Sequence, residues 1–277
     1  MKKVTLYISL ICCLLSSCDT IIEDRKDCPC RLSLDFSSVE QTVDEVHIWY
    51  FGSDGNLLKR DTVTNDRYDS GYVAEIKRDM VTYYVWGGMG KATDFTDNVT
   101  PNSSLVKRAD VSADSLFVYS RTLSTVSEAV SDTVILDKEF ATVAVTISSV
   151  PQGGDSIYMD LYTTTLGQYI DRRLIAGAGR TRVRPVYTAE GKSVFTCRML
   201  RQNETYLPDV TITLMTVHEQ REQVMAQLPF GKWLLESGYE MNGRSLKDIE
   251  MEIDISMNYI TVNIDDWQTT IPANIQI

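Results

Sequence analysis

Histidine is nearly missing from this chain: His47 and His218 are the only two in 277 residues. Neither has a second ligand-type residue at metal spacing, so a zinc site and histidine-based acid–base catalysis both lack raw material. Basic clusters are scarce as well. The net charge is -11, which argues against a nucleic-acid partner, because phosphate backbones demand a cationic face. The densest basic group, Arg172, Arg173, Arg180, Arg182 and Arg184, is flanked by glycine and proline and reads as a solvated loop. The G-x-S-x-G elbow, the H-E-x-x-H helix and the EF-hand loop are all absent. "GAGRTR" at 177–182 has glycines but no Lys-Ser/Thr to cradle phosphate, and reads as a flexible loop. Paired carboxylates such as Asp265-Asp266 and Glu23-Asp24 are more commonly surface charge than an acid/base pair. No constellation supports an enzyme, and none calls for a cofactor or a metal.

Long apolar runs are missing too, except at the start. Lys2 and Lys3 precede the run "VTLYISLICCLL" from Val4 to Leu15, and Ser16 and Ser17 follow. That is the pattern of a secretory signal peptide, too short for a comfortable membrane span. The expectation is an exported protein, soluble apart from its anchor. Leu15-Ser16-Ser17-Cys18 resembles a bacterial lipobox, in which the cysteine thiol receives diacylglycerol and the signal is cut just before it. Burial of acyl chain contributes about 0.8 kcal/mol per CH₂, so one chain holds marginally and two or more hold stably. Cys18 is therefore the expected lipidation site, and Cys12 and Cys13 leave with the signal.

The C-x-x-C spacing of redox and zinc sites is also missing. Cys28-Pro29-Cys30 is C-x-C, and a disulfide across one residue would be strained. With Cys18 lipidated, Cys28, Cys30 and Cys197 remain, an odd number. An oxidising compartment permits a disulfide from Cys28 or Cys30 to Cys197. The competing reading is a buried or free thiol.

What the sequence does have is alternation with period two. "DEVHIWYFG" sets Val46, Ile48 and Tyr50 against His47, Trp49 and Phe51, so this strand is expected to be covered on both faces. "DIEMEIDISMN" sets Ile249, Met251, Ile253 and Ile255 against Glu250, Glu252 and Asp254, the mark of a half-buried antiparallel strand. After Asn258 the parity flips, which requires a turn or bulge near Met257-Asn258. "GSDGN", "NDRYDSG", "PQGGD" and "AEGK" punctuate the strands. No long helical period stands out, and "TPNSSLVKRADVSADSLF" has room for one helical turn. Many short punctuated strands over this length argue for two β-sandwiches, with Asp132–Glu139 as the hinge before a strong strand at Phe140. Trp49, Trp86, Trp233 and Trp267 read first as core packing and second as platforms for a glycan or host ligand.

"CDTIIEDRKDCPCRLSLDF" resembles the start of the FimB-like family of fimbrillin-associated anchor lipoproteins of Bacteroides-type bacteria, through Cys18, Ile22, Glu23, Asp24, Asp27, Cys28 and Pro29. "HIWYFGSDGNLL", "YYVWGGM" and the closing "YITVNIDDWQ" resemble the same family. The resemblance implies an all-β chain of two transthyretin-like antiparallel β-sandwich domains in tandem. The expected organisation is a signal at 1–17, an acidic tether at 18–30, and sandwiches at 31–138 and 139–277. It further implies an outer-membrane lipid anchor at the cell surface that seats the base of a fimbrium, limits its length and meets fimbrial subunits by strand addition. The alternatives are a surface lipoprotein that binds glycan or host ligand, and a fimbrial tip subunit.

Overall fold

The computed structural model describes residues 28–98, 100–148, 156–187, 192–218, 221–255, 259–264 and 267–272. Cys18, the signal segment, Asp265-Asp266 and the Met257-Asn258 turn lie outside them.

The first half forms β1 (Cys30–Asp35), β2 (Glu45–Phe51), β3 (Leu57–Thr64), β4 (Tyr72–Ile76), β5 (Met80–Gly87), β6 (Thr93–Thr96), β7 (Ser104–Lys107), β8 (Phe117–Ser124), β9 (Ala129–Thr133) and β10 (Asp137–Lys138). Alternation decides how they pack. β1 buries Cys30, Leu32 and Leu34 and exposes Arg31, Ser33 and Asp35. β4 buries Tyr72, Ala74 and Ile76 in the same manner. These strands belong to a sheet of order β4-β1-β9, which packs on a sheet of order β10-β8-β5-β2-β3. Leu32, Leu34, Val46, Ile48, Tyr50 and Tyr83 are among the residues that fill the core between them. Full burial of each such side chain contributes about 1.5–3 kcal/mol.

The second half forms β11 (Phe140–Ser148), β12 (Ser156–Tyr169), β13 (Leu174–Val183), β14 (Val186–Tyr187), β15 (Ser193–Leu200), β16 (Thr211–His218), β17 (Arg221–Leu228), a helix α1 (Phe230–Glu236), β18 (Ile249–Ile255), β19 (Tyr259–Ile264) and β20 (Trp267–Pro272). One sheet runs β14-β15-β11-β18-β19-β20, and the other runs β17-β16-β12-β7-β6 with β13 also on β12. Their shared core holds Val143, Val145, Phe195, Leu214, Met251 and Ile253. The chain is thus two β-sandwiches in tandem. Residues 93–107 supply strands to the second sandwich although they precede β8 of the first. Gly167 permits that crossing, because a Cβ there would lie 2.0 Å from the Leu105 carbonyl oxygen and 2.8 Å from the Val106 Cα.

β2 is covered on both faces, as its sequence predicts. Val46, Ile48 and Tyr50 enter the first core, while Trp49 and Phe51 enter a separate cluster with Trp86, Leu116, Phe140 and Leu200. That cluster draws residues from both halves and forms the junction between the sandwiches.

Two expectations need correction, and one short helix appears that the sequence did not announce. "GAGRTR", with Arg180 and Arg182 of the arginine group, is not loop but strand β13, held by its register with β12 and not by a hydrophobic pattern of its own, whereas Arg172, Arg173 and Arg184 lie outside the strand. The stretch 100–117 contains strand β7, paired with β6 and β12, in place of a helical turn. A helix does form at Phe230–Glu236, where Phe230, Trp233 and Leu234 bury an i, i+3, i+4 face.

Candidate functional site

Among the described residues the chain begins at Cys28 and enters β1 at Cys30, and β1 lies inside its sheet. It pairs antiparallel with β4 from Cys30↔Ile76 to Leu34↔Tyr72, and parallel with β9 from Arg31↔Ala129 to Asp35↔Thr133. Both of its edges are occupied and one face is core.

Beside this strand the first sandwich has an open flank. β8 is covered on its outer edge by β10 only at Phe117 and Val118, and β9 pairs only with β1. Tyr119–Ser124 and Ala129–Thr133 therefore present backbone edges with no strand partner among the described residues. A cleft of about 880 Å³ opens along them, lined by Tyr72, Tyr119, Arg121, Asp132, Thr133 and Arg244 among others. Buried Asp132 accepts hydrogen bonds from Tyr83 Oη, from Tyr119 Oη at 2.8 Å and from Arg121. Burial, reinforced by the charge of Asp132, pushes the Tyr83 phenol up, so it stays a donor at neutral pH. The arrangement offers main-chain edges and fixed polar groups, which suit binding an extended segment.

The junction is clamped by charge. Glu139 is fully buried and accepts from Arg172 Nη2 at 2.6 Å, Arg201 Nε at 2.7 Å and Gln168 Nε2 at 2.9 Å. Asp137 accepts from Arg172 Nη1 at 3.3 Å and Arg244 Nε at 2.6 Å. Trp86 Nε1 adds a buried bond of 2.9 Å to the Ile170 carbonyl oxygen. Both ends of the stretch read as a hinge, Asp132 and Glu139, thus sit in hydrogen-bonded networks.

The residues singled out in the sequence are dispersed. Cys28 is exposed, Cys30 is buried at the start of β1 and Cys197 is buried in the second core; all three are free thiols. Burial pushes the Cys30 thiol up and takes Cys197 to about 12. His47 stands 3.2 Å from both Glu45 and Thr62 on the side of β2. Trp49 and Trp86 are buried in the junction and Trp233 in the second core, while Trp267 is only partly buried. The arginines of β13 are engaged by acids. Arg180 Nε meets Asp110 at 2.5 Å, and Arg182 meets both Asp160 oxygens at 2.7 Å and Glu222 at 2.5 Å. Among the described residues, no group of three or more His, Cys, Asp or Glu is placed to hold a metal ion. Sequence reasoning missed Asp132, Asp137 and Glu139. The arginines that clamp Asp137 and Glu139 lie 33 to 107 positions away along the chain, and no local spacing signals such pairs.

The fold is a tandem β-sandwich with a filled central strand, an open flank and a junction clamped by charge. The model of the fimbrillin-A associated anchor proteins Mfa1 and Mfa2 matches residues 25–271, and the chain belongs to that family. Solved structures share the fold. The fimbrial anchor protein Mfa2 from Porphyromonas gingivalis superposes with a TM-score of 0.67 at 13% identity, over 87% of this chain and 99% of that one. A candidate polysaccharide-binding protein from Bacteroides thetaiotaomicron gives 0.67 at 13%, over 89% and 100%. A candidate adhesin from the same species gives 0.62 at 15%, over 89% and 99%. A sequence comparison with curated proteins finds no match. Family membership implies a place in the cell envelope.

Proposed function

We propose that this protein is an outer-membrane lipoprotein, anchored through Cys18, that seats the base of a fimbrium and thereby limits its length. The observation that carries this reading is the position of β1. A tether of nine residues, Asp19–Asp27, separates the lipid cysteine from Cys28. The chain then becomes the central strand of a sheet, bonded along both edges. Tension between membrane and fimbrium loads those two ladders in shear, so many hydrogen bonds resist together. A subunit tied down this way cannot move outward with the growing fibre, and its incorporation fixes the base. Fimbrial subunits meet it by strand addition, with main-chain bonds supplying affinity and side-chain pockets supplying register. The unpaired edges of β8 and β9 are the surface we assign to that contact. The proposed domains are 31–138 and 139–277, with residues 93–107 of the first lending two strands to a sheet of the second.

Replacing Cys18 with Ala is expected to move the protein from the outer-membrane fraction into soluble fractions and to release fimbriae, longer than normal, into the medium. A Cys18→Ala protein that still fractionates with membranes overturns the lipid anchor. Fimbriae that stay attached and normal in length when the gene is deleted overturn the anchoring role.

A further inference from the structure

The four tryptophans have different fates, and one of them marks a recess. Trp267 opens β20, which among the described residues is an edge strand paired with β19 alone. Its indole packs against the second core and also lines a recess of about 490 Å³. Most of the remaining wall comes from 237–248, a connection after α1 that contains no helix or strand. It contributes Tyr239, Glu240, Ser245 and Lys247 to the lining.

This connection is held in place along its length. Gly238, at φ +77°, ends the helix, and Tyr239 N donates to the Leu234 carbonyl at 2.9 Å. Arg201, already clamped to Glu139, also donates to the carbonyl oxygens of Met241, of Gly243 at 2.8 Å and of Arg244 at 3.3 Å. Tyr239 Oη donates to the Lys247 carbonyl at 2.6 Å, and Leu246 N donates to the Lys138 carbonyl at 3.0 Å. The Met241 and Leu246 side chains are buried beneath. A long connection without ladder bonds, yet tied down at several points, is the kind that carries binding groups on a rigid scaffold. Preorganisation of this sort removes part of the entropic cost of binding.

We propose that this recess binds a neutral saccharide, with a ring face against Trp267 and hydroxyls meeting Glu240, Lys247 and Ser245. A sugar ring has an apolar C–H face and a rim of hydroxyls that both donate and accept. Among the described residues the recess offers the aromatic rings of Trp267 and Tyr239, the Glu240 carboxylate, the Lys247 ammonium and serine hydroxyls, a matching set. Glu240 and Lys247 oppose each other in charge, so an ionic ligand of either sign meets one group of its own sign. An apolar ligand would strip water from these polar side chains without replacing its hydrogen bonds. The volume falls within the range of about 300–1,000 Å³ usual for small-ligand sites. The recess shares no lining residue with the open-flank cleft, although Arg244 of the same connection lines that cleft, and no step of the saccharide proposal uses the anchoring role.

The test is titration of the full-length protein in detergent micelles with neutral oligosaccharides, followed by tryptophan emission and calorimetry. One arm uses β-linked glucose, galactose and N-acetylglucosamine oligomers of microbial type, and the other uses neutral mucin O-glycans. Saturable binding is expected in at least one arm. Trp267→Ala and Glu240→Gln should each weaken it about tenfold or more, while Trp267→Phe keeps most of it. Glu240→Gln should melt like wild type, which separates lost binding from lost folding. Absence of binding in both arms up to about 10 mM overturns the proposal, as does equal affinity in Trp267→Ala. Protection of Trp267 from acrylamide by fimbrial subunits alone, with no saccharide effective, overturns it too.

Discussion

At the scale of single residues, the cysteines separate by environment and not by spacing. Cys28 and Cys30 are two positions apart, yet one is exposed and the other is sealed in the first sandwich. The thiolate is the reactive species, so burial that pushes Cys30 up and takes Cys197 to about 12 makes both unreactive at neutral pH. Treatment of the folded protein with a maleimide is expected to label Cys28 quickly and the buried Cys30 and Cys197 only after denaturation. The non-reduced, denatured protein should then yield three thiols from Cys28, Cys30 and Cys197. A yield of one thiol would mean that two of them pair as a disulfide. Trp267 follows the same logic. Its neighbours in composition are all buried, and only its own surroundings single it out.

At the scale of elements, the link between β10, β11 and β18 turns on Asp248, just before β18. Its carboxylate accepts from Lys138 Nζ at 2.5 Å and from the Thr142 amide at 2.6 Å. Partial burial raises its pKa, but the Lys138 and Thr142 hydrogen bonds outweigh burial and hold the group below the ordinary carboxylate value. A depressed folded-state pKa adds stability above the unfolded value of about 3.9 and loses it as pH falls through the folded one. Asp248→Asn should therefore lower stability at neutral pH and flatten its decline in acid. The side chain is more than half exposed, so solvent screening keeps the effect below about 1 kcal/mol. Denaturant melts of both proteins from pH 7 down to about pH 2 test this, and parallel curves would refute it. The elements also divide by how readable they were. β2 and β18 declare themselves through Val46-Ile48 and Ile249-Met251-Ile253, because each must bury an alternating face. β13 could not, since Gly177, Ala178 and Gly179 carry no hydrophobic period and its strand state comes from β12 across the ladder. β7 is four residues long and is fixed by β6 and Gly167–Tyr169, which no local pattern encodes.

At the scale of the whole molecule, the question is whether the two sandwiches act as one body. An anchor that passes tension from β1 to a fimbrium needs a junction that does not yield first. The apolar cluster around Trp49, Trp86 and Phe140 supplies contact area, and the acids set its geometry. Glu139 is the critical member because it is fully buried and binds two arginines directly. Arg201 in turn reaches the 237–248 connection, so one carboxylate couples the junction to the saccharide recess. Removing one partner of a buried ionic network leaves the other charge uncompensated, at a cost of about 3–5 kcal/mol. Glu139→Gln should lower the melting temperature and broaden or split the calorimetric transition as the sandwiches uncouple. Glu139→Gln combined with Arg201→Met should recover part of the loss, because the stranded guanidinium is gone, giving the non-additivity expected of direct contact. If Glu139→Gln unfolds in a single transition at the wild-type temperature, the clamp does not hold the sandwiches together. The rigidity of the junction would then rest on the Trp86–Ile170 bond and the apolar cluster around it.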